Sequence, residues 1–122
     1  MANQQYPQLR FLDPFGEREA YEIDAKGYCS RGVALVSPSE IVPLVFYDTV
    51  RLQQDLMDEI VAGNRYIAEP GLIIVPSVTV ADMEAAIQRL WLEGYFKSFK
   101  ATPIEPSQVL HMSDVSDTEE SG

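Results

Sequence analysis

The hydrophobic pattern changes period part-way along the chain, and that change limits the folds open to it. In the first third, apolar side chains recur at every second position, the spacing of a half-buried strand; after Asp48 they recur every three to four, the spacing of a helix face. In Leu9-Arg10-Phe11-Leu12 and Glu19-Ala20-Tyr21-Glu22-Ile23, the side chains of Leu9, Phe11, Tyr21 and Ile23 fall on one side of two expected strands. Asp13-Pro14-Phe15-Gly16 between them carries Pro and Gly where a tight reversal uses their backbone angles, and Asp24-Ala25-Lys26-Gly27 is a second such signal. Gly32-Val33-Ala34-Leu35-Val36 continues the meander as far as Ser37-Pro38-Ser39. Ile41 to Tyr47 is apolar throughout but holds Pro43, which suits a strand with an edge or bulged start, or a short buried connector.

Beyond Asp48 the stripe Leu52, Leu56, Met57, Ile60 and Val61 predicts a helix capped by Asp48 or Thr49 and stopped at Gly63-Asn64. Glu69-Pro70-Gly71 turns the chain into Leu72-Ile73-Ile74-Val75, apolar at every position, the pattern of a central strand covered on both sides. A second helix is expected from Thr79, with Val80, Met83, Ile87, Leu90 and Trp91 inward and Gly94 ending it, followed by a last strand over Tyr95 to Lys100. Strands first and helices later imply an α+β fold: an antiparallel or mixed sheet of four to six strands with two helices packed on one face. Leu56, Ile60, Ile74, Ile87 and Trp91 are the expected centre of its core.

The domain expected is 1–102. The remainder, 103–122, is rich in Ser, Asp and Glu, buries too little to offset its ordering entropy, and reads as an acidic tail, disordered or loosely docked. Val109, Leu110 and Met112 form a small apolar island within it, either a short linear binding motif or an inert stretch.

Charge ranks the partners. Nine basic residues stand against nineteen acidic ones, a formal net charge of −10, and the basic ones are scattered singly. That disfavours nucleic acid and anionic membrane as partners and favours solubility, or steering towards a basic protein. Only four acids, Asp114, Asp117, Glu119 and Glu120, lie in the last ten residues, so the rest of the chain is acidic as well. No apolar run reaches 18 residues, no secretory signal is visible, and a lone Cys29 suits a reducing compartment, so a cytoplasmic location is expected.

Catalytic constellations are missing. The single histidine, His111, falls in the expected tail, where nothing rigid would orient it. Cys29, beside Arg31, reads as a small core filler before it reads as a nucleophile. The seven glycines are isolated, so phosphate-loop and dinucleotide fingerprints fail, and no cofactor is expected. On a strand, Glu17 and Glu19 would lie about 7 Å apart on one face, close enough to share a divalent ion, but the sequence around them lacks the dense oxygen ligands of a calcium loop. Six tyrosines near turns and strand ends suit surfaces where a ring packs and its hydroxyl stays wet. The sequence therefore favours a small acidic protein-binding module of inhibitor, adaptor or accessory-subunit type. Its expected contacts are Phe15, Glu17, Glu19, Tyr47 and Tyr66, and its expected partner a basic protein. Two alternatives stand beside it: a small-ligand-binding domain or minor enzyme using Tyr, Arg and carboxylate groups in a sheet–helix cleft, and a self-associating structural protein such as a homodimer.

Overall fold

The computed structural model describes residues 5–103 and 113–114. Its elements are β1 (Gln8–Phe11), α1 (Glu17–Lys26), β2 (Tyr28–Ser37), β3 (Glu40–Tyr47), α2 (Thr49–Val61), β4 (Leu72–Ile74), α3 (Val80–Leu92), a 3-10 turn (Tyr95–Ser98), β5 (Thr102–Pro103) and β6 (Ser113–Asp114). The strands form one sheet in the order β4-β3-β2-β1-β6, with β5 also paired to β3. Every pairing is antiparallel except β3 with β4, which α2 connects as a parallel crossover. The fold is α+β around a mainly antiparallel sheet. Of the expected tail, only Pro103 and Ser113–Asp114 are described, as sheet pairings; its other residues, with His111 and the Val109, Leu110, Met112 island, lie outside the described residues.

Strand alternation sorts the core into two faces. Leu9, Ala34 and Val42 stand side by side in register, as do Phe11, Gly32 and Leu44. With Phe46 and Cys29 they form one fully buried cluster, closed by Met83 and Ile87 of α3, Phe96 of the 3-10 turn and the half-buried Ile23 of α1. The opposite face buries Val33, Leu35 and Ile41, with Tyr6 and Leu12 packed against them. A bulge between Cys29 and Gly32 inserts one residue into β2, which keeps Cys29 on the first face despite its odd spacing and leaves Arg31 outside.

Five expectations are corrected. Residues 19–23 form part of α1 and not a strand. The Gly16 N–H donates to Glu19 Oε1 at 2.9 Å, Arg18 pairs with Glu22 one turn on at 3.4 Å, and Gly27 ends the helix at φ +70°. Three local helix signals outweigh the chance alternation of Tyr21 and Ile23, and Tyr21 points into solvent. Among the described residues there are thus three α-helices, not two. Ile23, Met83 and Ile87 place α1 and α3 on one face, whereas α2 is tied to Tyr47, which alternates with Phe46 and stands on the other side of β3.

The strand expected at the sheet centre, Leu72–Val75, is instead a three-residue edge, β4, with Ile74 50% exposed. Tyr95 to Lys100 is not a strand. Gly94, at φ +82°, turns the chain so that Phe96 plugs the core while Tyr95 and Phe99 pack ring to ring, centroids 4.8 Å apart. The expected core centre also disperses: of its five residues Ile87 alone is fully buried, Leu56 is half-buried, and Ile60, Ile74 and Trp91 are exposed.

Candidate interaction surface

The sequence of α2 sets both its ends. Asp48 caps the start by accepting the Arg51 N–H at 2.8 Å. At the other end Gly63 takes φ +102°, and Asn64 returns to Glu59 through its backbone N–H (2.8 Å to the carbonyl) and its side-chain amide (2.7 Å to Oε1). One face of the helix, Arg51, Leu52, Asp55, Leu56 and Glu59, is half-buried. It is held by a polar clamp: Tyr47 Oη donates to Asp55 Oδ2 at 2.9 Å, and Arg51 Nε donates to Asp55 Oδ1 at 2.9 Å. The Arg51 guanidinium also lies 5.0 Å from the centre of the Tyr28 ring and donates to the Lys26 carbonyl at 3.3 Å. This clamp fixes how α2 is rotated.

Because that rotation is fixed, the other side of α2 must face outward. Val50, Met57 and Val61, seven and four residues apart, fall on one stripe about 40° wide, and they are 63%, 54% and 86% exposed. Ile60 flanks them, also exposed, and no residue of α2 is fully buried. At the C-terminal end of the helix, on the side of its inner-face residue Glu59 and away from the stripe, lies a recess of about 260 Å³ lined by Glu59, Asn64, Tyr66, Ile67, Ala68 and Glu69. Exposed apolar side chains scattered singly need no explanation, but a continuous stripe on a rigidly oriented helix makes this face the candidate surface.

The expected contact residues do not assemble into one site. Phe15 stacks on Phe11 with centroids 3.7 Å apart, and it lines, with Glu19, a cleft of about 220 Å³ between α1 and β2. Glu19 is engaged in capping α1, so Glu17 and Glu19 are not the paired carboxylates of a strand, and Glu17 projects into solvent outside that cleft. Tyr47 is 5% exposed and holds the α2 clamp from inside, so it is corrected from a surface contact to a positioning residue. Tyr66 stands exposed at the rim of the α2 recess. Sequence reading missed Val50 altogether and placed Met57 and Val61 inward; the available signal was an apolar stripe from Leu52 to Val61 covering about half the helix circumference, wider than one buried face requires.

The α1 cleft resembles the sheet–helix site of the small-ligand alternative, but its polar groups are largely spent on each other. Arg31 Nε holds Asp13 Oδ2 at 2.9 Å and Glu22 pairs with Arg18. Cys29 sits at its floor, where burial pushes the thiol above its ordinary range against the opposing effect of the Arg31 and Gly32 backbone N–H groups. A thiol held protonated is a poor nucleophile. Among the described residues no three His, Cys, Asp or Glu side chains gather as a metal site, and no helix is long and apolar enough to cross a membrane. Comparison with protein-family models, characterised proteins and solved structures finds none that matches this chain.

A buried thiol and a buried phenol contribute to the alkaline pH response, and the half-buried Tyr95, also raised by burial, adds to it in the same direction. Cys29 is raised by burial, and Tyr47 is raised by burial and then by the Asp55 carboxylate it donates to. In the unfolded chain both ionise at their ordinary values, near pH 9 and 10, while the folded state keeps its protons; the unfolded state therefore binds fewer protons and stability falls as pH rises through that range. Urea midpoints should be level from pH 6 to about pH 8 and decline above it, and Cys29→Ala should remove the earlier part of the decline. A midpoint that rises with pH in the alkaline range would contradict this assignment.

Proposed function

We propose that this protein is an acidic binding module of the cytosol that acts by occupying the surface of a protein partner, with the outer face of α2 as its contact. One observation carries the reading: a helix whose rotation is fixed by the Tyr47–Asp55–Arg51 clamp presents Val50, Met57 and Val61 to solvent in a single stripe. Such a face leaves apolar area in water that an interface would remove, at about 25 cal/mol per Å². The net charge of −10 supports a basic partner, and the lone Cys29 suits a compartment where thiols stay reduced.

The test is quantitative affinity capture with the full chain and a variant in which Val50, Met57 and Val61 are all replaced by serine. These positions are exposed, so the urea midpoint should change little while a stoichiometric partner is lost. Glu17→Lys, on the opposite side of the fold, should keep that partner. Equal capture by the triple variant would remove α2 from the interface. If Phe15→Ala alone abolished capture, the α1 cleft would become the site.

A further inference from the structure

The C-terminal end of α3 builds a feature separate from the α2 surface: a recess of about 420 Å³ lined by Val36, Trp91, Leu92, Phe96 and Lys97. Its origin is local. Glu93 and Gly94 close α3 through N–H bonds to the Arg89 and Trp91 carbonyls, and Gly94, at φ +82°, turns the chain back so that Phe96 enters the core. Space is left between the last turn of the helix, the 3-10 turn and the end of β2. Phe96 and the half-buried Val36 are its floor, the Trp91 ring stands with its centroid 6.2 Å from that of Phe96, and Leu92, 79% exposed, is its rim.

Size and lining both suit a small molecule. The recess is larger than the α1 cleft and the α2 recess, and it falls in the range of about 300–1,000 Å³ typical of ligand sites, which are mostly apolar with a few placed polar groups. An apolar cavity of about 150 Å³ already holds a benzene ring, so this one has room for two fused rings and a short side chain.

Its charge is opposite to that of the chain. Four of the five lining residues are apolar and the fifth, Lys97, has no ion-pair partner among the described residues. Residues 94–103 hold Lys97 and Lys100 and no acid, in a protein of net charge −10. The adjoining Glu93 is engaged by Arg89 at 3.3 Å. The last carbonyls of α3 bring partial negative charge to this end, but those of Arg89 and Trp91 are already bonded, and Lys97 carries a full charge against the remainder.

We infer that this recess binds a small aromatic monocarboxylate, its rings against Trp91, Leu92, Phe96 and Val36 and its carboxylate paired with the Lys97 ammonium. The aromatic lining favours a ring system, because ring contacts add to plain area burial. The single cation selects an anion over a neutral or cationic analogue of the same shape. No residue is shared with the α2 stripe, so this site stands or falls independently of the protein contact proposed there.

Trp91 is the one tryptophan of the chain, so its indole N–H gives a single resonance that reports occupancy. The probe is naphthylacetate, titrated into the isotope-labelled full-length protein at about 0.15 M salt, where a Debye length of about 8 Å lets contact with Lys97 outweigh the remote acids. Three controls accompany it: naphthylacetamide, with the ring and no charge; naphthylethylamine, with the ring and a cation; and acetate, with the charge and no ring. Saturable shifts should appear at the Trp91 indole and at the amides of Val36 and Trp91 to Lys97, with a Kd between about 10 μM and 1 mM. The acetamide should bind about three- to fivefold more weakly, the amine more weakly still, and acetate should not saturate. Lys97→Gln should bring the acid down to the affinity of the acetamide and leave the acetamide unchanged, a split that a merely structural role would not produce. Leu92→Asp, at the exposed rim, should weaken the acid further than Lys97→Gln does.

Equal affinities for acid, acetamide and amine, or Lys97→Gln without effect on the acid, would make the recess an unselective apolar patch and overturn the inference. Shifts centred on α1 or α2, or no saturation by naphthylacetate up to about 5 mM, would overturn it as well. The serine variant of Val50, Met57 and Val61 should bind the acid with unchanged affinity; loss of the acid there would move the site to α2 and remove it from α3.

Discussion

Phe46→Ala should remove a large part of the stability of the fold, about 3–5 kcal/mol, against a total of roughly 5–15 kcal/mol for domains of this kind. Phe46 is completely buried, at the point where β2, β3 and β4 meet: it pairs with Cys29 on one side and Ile73 on the other. Its ring also lies over Gly32 beside the Cys29 Sγ, each 3.6 Å from where a Cβ would stand, so it helps to close the β2 bulge. Truncation loses the transfer energy of the ring and leaves a cavity that neighbours on two paired strands cannot collapse to fill. Ile87→Ala, from α3 in the same cluster, should cost about 2–5 kcal/mol. Leu56→Ala should cost much less, because Leu56 is only half-buried on α2. Urea midpoints for the three variants check the order; Leu56→Ala equal to Phe46→Ala would mean that α2 is packed far more tightly than its exposure indicates.

That ordering differs from the one the sequence suggests, and the reason is physical. Asp48 and Thr79 do cap helices, and Leu9, Phe11, Val42 and Leu44 do share a buried face, because caps and alternation are local properties written in a few adjacent residues. What a local pattern cannot say is how many sides of an element will be covered. Leu72-Ile73-Ile74-Val75 has the composition of a central strand, yet the crossover through α2 lands it at an edge, where three residues pair and Ile74 is left half in water. Helix α1 was concealed differently, since Tyr21 and Ile23 imitate strand alternation while the decisive signals, Gly16 with Glu19 and Arg18 with Glu22, lie among the charged residues around them.

The candidate surface shows the same division. Exposed Tyr66 can be anticipated from its turn-rich surroundings, but the inward tyrosine at position 47 depends on Asp55, eight residues away, arriving within 2.9 Å of its hydroxyl. Once that clamp turns Leu52 and Leu56 towards the sheet, Val50, Met57 and Val61 have no side left but the outer one. The exposed stripe is therefore a consequence of a tertiary hydrogen bond, and helix periodicity alone could not separate it from the inner face.

Gly71→Ala should destabilise the fold by about 3 kcal/mol or more, combining left-handed backbone strain with a steric clash. Gly71 takes φ +78°, and a Cβ built there would lie 2.5 Å from the Pro43 carbonyl oxygen and 3.3 Å from Leu44 Cα, both backbone atoms of β3 that cannot swing aside. Its own carbonyl accepts the Val45 N–H at 2.9 Å, the bond that opens the β3–β4 pairing. Gly63 is the control: it has φ +102° with nothing within 4 Å, so Gly63→Ala should cost only the strain, about 1–2 kcal/mol. Gly27→Ala should fall between them, since its Cβ meets the Asp48 carboxylate at 2.5 Å, a side chain that can move but only by leaving the Arg51 N–H it caps. Hydrogen exchange should locate the damage, with Gly71→Ala exposing the β4 amides first and Gly27→Ala those of the first turn of α2. Equal midpoints for Gly71→Ala and Gly63→Ala would show that β4 does not press against β3 at Pro43, and the support of α2 from that side would have to come from the Tyr47 clamp alone.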